Sequence, residues 1–293
     1  MPVTDTTLTA PRPRPVAAVM SPSPAPTRTG ARARGLLRRA MSMAAGPLLA
    51  VTAVLCLWQC AFALHLSATL PAPAAVGHDL AASWSSGVLA PALLHSLRRC
   101  LTGFLASAAI GVPMGLLLST TAVLRTPIAP ILSAIQALPA AALVPVAVMC
   151  LGNSESAVYA VVLLGAVPAI ASGTLTSLDR IPPLLRRAGR SMGATGFGYV
   201  RHVLLPAALP GLVTALEQGW TFGWRALMTA ELIAATPLPG IGHLLDDGRR
   251  SGRLSLVLAA TAVILAIGVL VEAAAFAPVS RHVLRTRGLT TQA

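Results

Sequence analysis

Long apolar stretches that carry almost no charge constrain this chain more than any other feature of its sequence. A helix that crosses a bilayer needs about 20 apolar residues, and six stretches reach that length. They cover residues 46–66, 101–124, 126–154, 156–178, 207–234 and 254–278. Residues 67–95, between the first two, should form a loop with an interfacial helix, and Pro139 and Pro145 should kink the third stretch. With 55% hydrophobic residues, 11% charged residues and a mean hydropathy of +0.74, the chain cannot be a soluble domain. We therefore predict an all-α membrane protein with six transmembrane helices.

The basic charge of the chain comes from arginine alone. The net charge is +13, and lysine does not occur anywhere in the sequence. A nucleotide-binding P-loop places a lysine on the β- and γ-phosphates, so that motif cannot be present here. Any ATP chemistry linked to this chain must therefore be supplied by a partner.

The distribution of arginines predicts the orientation in the membrane. Sixteen arginines fall in the tails and loops on the N-terminal side of the membrane, against five in the opposite loops. Residues 1–45 are rich in Pro and Arg and should be disordered. Since no aromatic residues are interleaved with their arginines, they indicate a positive-inside anchor rather than a nucleic-acid-binding arm. Both this tail and the tail 281–293 should lie in the cytoplasm, flanking a multi-pass domain at 46–280.

A polar segment, residues 181–206, separates the fourth and fifth stretches and contains a short amphipathic helix. Pro182 and Pro183 suit a first helical turn, and Gly193 suits a left-handed stop after the last turn. At about 100° per residue, apolar and basic side chains fall on opposite arcs. The apolar arc holds Leu184, Leu185, Ala188, Gly189 and Met192, and the basic arc holds Arg186, Arg187 and Arg190.

The spacing in this segment resembles a known family motif. Arg187-Ala188-Gly189 is followed by three residues, Gly193, nine residues and then Val203-x-Leu205-Pro206. This order is similar to the "EAA loop" of the membrane subunits of binding-protein-dependent ABC importers. Arg187 stands where the family has Glu, and Gly189 stands where it has its second Ala.

The resemblance implies a fold, partners and a set of coupling residues. The fold would be that of type I ABC importer permeases, with a core at about 95–280. The helix Leu184–Gly193 would dock into a separate ATPase subunit, present in two copies. A second copy of this chain would complete the pore, and a binding protein outside would deliver the solute. The coupling residues would be Leu184, Arg187, Ala188, Gly189, Met192, Gly193, Val203, Leu205 and Pro206.

Further segments resemble one branch of the family, the nitrate, sulfonate and taurine importers. They lie at 95–104, 111–115, 137–145, 224–232 and 240–242, and include the patterns Gly-x-Pro-x-Gly, Trp-x-x-Leu-x-x-Ala-Glu-Leu and Gly-Ile-Gly. The resemblance implies a small solute of the nitrate, sulfonate or taurine kind.

The fifth apolar stretch, residues 207–234, contains charged residues. An ionised group in the hydrocarbon core costs about 2.5–3.5 kcal/mol or more unless it faces protein or water. Two interpretations remain open: a buried polar network that fixes helix packing, or the lining of a passage in which Arg225 attracts an anion. The predicted passage residues are Glu217, Trp220, Trp224, Arg225 and Glu231.

The sequence predicts no catalytic site, no cofactor and no metal site. The six histidines do not cluster, and the four cysteines have no nearby His or carboxylate to complete a metal site. Two rival classes remain. An ion-gradient-driven transporter is compatible with intramembrane carboxylates and broken helices. A membrane scaffold with a basic tail would not explain the Gly and Pro spacing.

Overall fold

The described part of the chain is helical throughout. A computed structural model describes residues 46, 49–67, 69–234, 236 and 238–287, and no strand occurs among them. The predicted disordered tail 1–45 and the last residues of the predicted C-terminal tail lie outside these ranges. The chain divides into a unit Met1–Leu57 and a larger unit Trp58–Ala293.

The described residues include twelve α-helices and two π-helical turns. In chain order they are α1 (Leu49–Ala63), α2 (Pro73–Ser85), α3 (Leu89–Thr120), α4 (Ala122–Ala137), α5 (Ala140–Leu151), α6 (Glu155–Asp179), α7 (Pro183–Ser191), α8 (Gly196–Tyr199), a π-turn (Val200–Leu204), α9 (Leu205–Ile233), α10 (Ile241–Arg250), α11 (Leu254–Val271), a π-turn (Glu272–Phe276) and α12 (Ala277–Thr286).

Among the described residues, four helical runs are long and apolar enough to cross a membrane. These runs are Leu89–Thr120, Glu155–Asp179, Gly196–Ile233 and Leu254–Thr286. The pair α4 and α5 adds a fifth if it is counted as one bent span. The described helix α1 is shorter than the span predicted at 46–66 and falls below this length. The predicted count of six is therefore not confirmed.

The second predicted span begins earlier than expected. Residues 67–95 were predicted to form a loop with an interfacial helix, yet α3 already begins at Leu89. Pro91 is tolerated because the first N–H groups of a helix have no partner within it. Arg99 lies inside α3 because Glu155 and Glu231 neutralise its guanidinium. A scan for uncharged runs cannot detect such compensation.

The third predicted span is broken at Pro139, as its prolines suggested. The axes of α4 and α5 differ by 100°. Leu138 precedes a proline and is extended, with ψ 131°. Pro139 then stands as the N-cap of α5, while Pro145 lies within that helix.

The centre of the larger unit is the contact between α6 and α9, with α3 against α6. Small residues let these helices approach closely. A Cβ on Gly173 would lie 2.6 Å from the Cβ of Ala215, and a Cβ on Gly219 would lie 2.2 Å from Ile170 Cγ1. On the α3 side, a Cβ on Gly115 would lie 2.5 Å from the Ala171 carbonyl oxygen. The helices therefore pack too closely at these glycines for any larger residue, and at Gly115 the neighbouring atom belongs to the backbone.

Candidate functional site

The short helix α7 begins and ends where the sequence predicted. Pro183 occupies its first position, where no intrahelical N–H is needed. Gly193 has φ +80°, and its N–H donates to the Arg190 carbonyl at 3.0 Å. The N–H of Ala194 donates to the Gly189 carbonyl at 3.1 Å. This pair of bonds is a Schellman motif, which requires a left-handed residue at the position of Gly193.

The apolar arc of α7 is mostly exposed. Leu184 is 78% exposed and Met192 is 86% exposed, whereas Gly189 is buried. A Cβ on Gly189 would lie 2.9 Å from both methyl carbons of Val203. Val203 therefore occupies the space that an alanine at position 189 would need, which accounts for the glycine. Leu184 and Met192 are therefore almost uncovered, and Leu185 on the same arc is half-exposed.

The basic arc of α7 ties the helix to its neighbours. The Arg186 guanidinium donates to the Leu178 carbonyl at the end of α6. Arg190 lies over the Tyr199 ring, with its guanidinium carbon 5.7 Å from the ring centroid. Arg187 is exposed and has no ion pair within the described ranges.

An apolar groove adjoins α7 and brings most of the predicted coupling residues together. Its volume is about 570 Å³. Leu185, Ala188, Gly189, Met192, Gly193, Ala194, His202, Val203, Pro206, Ala207 and Arg287 line it. Three predicted coupling residues, Leu184, Arg187 and Leu205, do not line this groove.

The predicted passage residues do not share one surface. Trp220 and Trp224 stack with centroids 6.3 Å apart and planes 9° apart, and both side chains are largely buried. With Arg225 and Glu272 they line a mainly apolar cavity of about 350 Å³ beside α11. The carboxyls of Glu217 and Glu272 lie close enough to interact electrostatically.

Glu231 lies in a buried polar network. Its side chain has no exposed surface, and it accepts hydrogen bonds from Ser96 Oγ, Arg99 Nη1 and the Gly242 N–H. A Cβ on Gly240 would lie 2.2 Å from Glu231 Oε2, so the carboxylate fits only beside a glycine. These contacts match the packing interpretation for this residue. They also give the Gly-Ile-Gly segment a physical role: Gly240 leaves space for the Glu231 carboxylate, and Gly242 donates a hydrogen bond to it.

Sequence reasoning missed Arg99, which is the centre of this network. Its side chain is 4% exposed and pairs with Glu231 at 2.9 Å and also with Glu155. It donates as well to the Leu238 carbonyl at 2.7 Å. The network therefore joins α3, α6, α9 and the segment before α10 at the end of the bundle far from α7. A basic residue flanking an uncharged run was the only available signal.

Comparison with known proteins identifies the family. Residues 108–279, more than half of the chain, match the family described as the binding-protein-dependent transport system inner membrane component. The chain belongs to this family. As an inner membrane component with several long apolar helices, it is a multi-pass membrane protein.

Two relatives and one solved structure illustrate the similarity. The taurine transport system permease protein TauC of Escherichia coli (strain K12) is 31% identical over 180 residues, 61% of this chain and 65% of that protein. The nitrate import permease protein NrtB of Synechocystis sp. (strain ATCC 27184 / PCC 6803 / Kazusa) is 26% identical over 180 residues, with the same shares. Both alignments thus span just under two thirds of the relative. An inward-facing structure of the MetNI methionine ABC transporter has a TM-score of 0.55 and 26% identity, covering 64% of this chain and 92% of that one.

Proposed function

We propose that this chain is the permease subunit of an ATP-driven, binding-protein-dependent ABC importer in the cytoplasmic membrane. The supporting observation is family membership together with α7, a short helix between two long apolar helices that leaves Leu184 and Met192 uncovered. The chain catalyses nothing itself in this proposal. ATP hydrolysis belongs to a separate ATPase, of which two copies bind the complex.

In the proposed mechanism, α7 is the coupling helix. Leu184 and Met192 insert into the ATPase, and exposed Arg187 is free to meet an acidic side chain there. Two contacts transmit the motion of α7 to the membrane helices. Arg186 is hydrogen-bonded to the last turn of α6, and Gly189 packs on Val203 just before α9. When ATP closes the ATPase pair, α6 and α9 move with α7. The direction of the change is set by the higher affinity of ATP for the closed pair.

The proposed assembly contains two copies of this chain and an external binding protein. Each copy crosses the membrane six times if α1 is one span and the bent pair α4–α5 is another, and both termini lie in the cytoplasm. Lipid surrounds the outer faces of the helices. The names of the relatives TauC and NrtB suggest a solute of the taurine or nitrate kind.

The ion-gradient alternative is supported by one observation. Glu217 and Glu272 are carboxyls from two long apolar helices that face each other, an arrangement that could carry a proton. In such a transporter, uptake would follow an imposed proton gradient without ATP.

An affinity pull-down of the tagged full chain from mild detergent tests the importer proposal. We expect an ATPase subunit to be recovered with the wild type and lost with Gly193→Arg. Gly193 ends α7 in a left-handed conformation with φ +80°, and this conformation is sterically unfavourable for a bulky L-residue such as arginine. The matched control is Gly193→Asn, because asparagine tolerates that conformation and should retain the partner.

Two outcomes would contradict the importer proposal. One is a well-folded preparation that recovers no ATPase. The other is wild-type-like, ATP-driven uptake by the Gly193→Arg variant in proteoliposomes. Uptake driven by a proton gradient alone would then favour the alternative.

A further inference from the structure

A strip of polar and small residues runs along the touching faces of α6 and α9. On α9 the residues recur at helical spacing, and Thr214, Gln218 and Arg225 are exposed. On α6 the matching strip ends with exposed Thr176 and Arg180. The α9 strip is Gly211, Thr214, Gln218 and Arg225; the α6 strip is Gly165, Ser172, Gly173, Thr176 and Arg180.

Two adjoining cavities follow this strip. One has a volume of about 270 Å³ and lies between Arg180 and Gln218. The other has a volume of about 410 Å³ and reaches Arg225 beside the bend between α4 and α5. Gln136 lines both cavities, and the two together are here called the polar groove. From Gly211 to Arg225 it extends about 21 Å along α9, which is roughly two thirds of a hydrocarbon core.

The charge of the polar groove has one sign. Arg180 and Arg225 are its charged lining residues, and neither Asp nor Glu lines it in the described ranges. Neither arginine forms an ion pair with another described residue. A groove with charge of one sign between low-dielectric walls concentrates counter-ions, here anions.

The polar groove also offers neutral hydrogen-bond donors that are not used within the described part of the chain. The Gln218 amide and the Thr176 hydroxyl make no side-chain hydrogen bond there, in contrast to Gln136, whose amide donates to Ser172 Oγ at 3.0 Å. Unpaired polar groups facing lipid are costly, so an exposed amide in the middle of α9 should face water or a polar solute.

We infer that the polar groove is the wall of the solute passage and that it takes a small anion, or the anionic end of a zwitterion. Gln218 and Thr176 offer neutral donors, and Arg225 and Arg180 set the sign of charge near the two ends. The inference deepens the proposed importer function and rests on it. It moves the passage away from Trp220 and Trp224, which line the cavity beside α11. Arg225 lines both that cavity and the polar groove.

Cysteine labelling of the full chain, co-expressed with its partners in membrane vesicles, tests this inference. The background carries Ser at positions 56, 60 and 150, while Cys100, which is fully buried, is retained. Gln218→Cys and Thr176→Cys are each treated with two thiol reagents of opposite charge. One is the anionic 2-sulfonatoethyl methanethiosulfonate, and the other is the cationic 2-(trimethylammonium)ethyl methanethiosulfonate. The controls are Thr221→Cys, which lines the cavity beside α11, and Ser251→Cys in an exposed loop.

We expect the anion-to-cation rate ratio at both groove positions to exceed the ratio at Ser251→Cys by about tenfold. Adding Arg225→Gln should lower that ratio several-fold at Gln218→Cys and leave it unchanged at Ser251→Cys. The labelling needs neither ATP nor an ATPase, so its result is distinguishable from a failed pull-down. The inference is overturned if both groove cysteines are inert while Thr221→Cys reacts, or if the ratio equals that at Ser251→Cys.

Discussion

Glu231 shows what allows a carboxylate to have no exposed surface in a long apolar helix. Its carboxylate oxygens accept hydrogen bonds from the Ser96 hydroxyl, the Arg99 guanidinium and the Gly242 N–H. Glu155 shares the charge of Arg99, so the guanidinium faces two carboxylates. A buried ion pair adds little net stability, but loss of one partner is costly because a charge or polar group is left buried and unpaired.

We predict that Glu231→Ala lowers the free energy of unfolding by about 3 kcal/mol. This loss of stability should lie at the low end of what breaking a buried ion pair costs, because Glu155 still neutralises Arg99. The control is Asp179→Ala, which removes the Arg125–Asp179 pair, whose side chains are 45% and 36% exposed. Asp179→Ala should lower the free energy of unfolding by less than about 1 kcal/mol.

Unfolding in mixed micelles, followed by circular dichroism, measures both changes. If Glu231→Ala unfolds like the wild type but transports poorly, the residue has a role in the passage and the packing interpretation is wrong.

Asp79 on α2 gives the structure a pH-sensitive contact outside the long apolar helices. The hydrogen bond from Ser255 Oγ and, beside it, the Arg253 guanidinium hold the pKa of Asp79 below its ordinary value, against the opposing effect of burial. A carboxyl whose pKa is lower in the folded state stabilises it above the unfolded pKa, about 3.9. That contribution is lost as the pH falls through the lower folded pKa.

We therefore predict that α2 loosens in acid. Hydrogen exchange of its amides, corrected for intrinsic rates and compared with α6, should speed up as the pH falls below about 4. In Asp79→Asn the pH-dependent change should be absent, and α2 should already exchange faster at neutral pH. Identical pH profiles for the variant and the wild type would refute the role of this carboxyl.

At the scale of elements, close helix contact depends on particular glycines rather than on apolar surface in general. A Cβ on Gly115 would meet the Ala171 carbonyl at 2.5 Å and Thr174 Cβ at 2.6 Å. Backbone atoms cannot rotate away, so α3 would have to move from α6. Gly268 on α11 provides a contrast, because a Cβ there meets nothing within 4 Å.

We predict opposite effects for one chemical change at these two sites. Gly115→Ala should destabilise the protein by about 1–3 kcal/mol through overpacking. Gly268→Ala should be neutral or stabilise it by up to about 1 kcal/mol, since alanine restricts the unfolded chain. Thermal unfolding in one detergent compares the two variants. Equal melting temperatures would mean that the α3–α6 contact is looser than in this structure.

At the scale of the whole molecule, the open question is orientation. The excess of arginine in the tails and in the segment around α7 predicts that α7 faces the cytoplasm and that the loop before α11 faces outside. Exposed serines occur in both places, at Ser191 and Ser251, which allows a matched comparison.

In intact cells, we expect a membrane-impermeant maleimide to label Ser251→Cys but not Ser191→Cys, in the background lacking the exposed cysteines. After permeabilisation both should react. The reverse pattern in intact cells would invert the topology and exclude docking of α7 to a cytoplasmic ATPase.

The sequence by itself determined the features that depend on local chemistry. Apolar length predicted the cores of α3, α6, α9 and α11, because crossing a bilayer is a requirement on one continuous segment. The ends of α7 followed from Pro183 and Gly193, because proline and glycine act through their own backbone angles. The break at Pro139 followed for the same reason.

Only the tertiary structure decided where the charged and polar side chains meet. Arg99 contacts carboxylates 56 and 132 positions away, so nothing near it in the sequence showed that a helix could contain it. The polar groove joins faces of α6 and α9 with Gln136 from α4. Trp220 and Trp224, predicted beside Glu231 in one passage, instead line a separate cavity. The cost of a buried charge depends on partners brought close by folding, and helical spacing alone cannot select those partners.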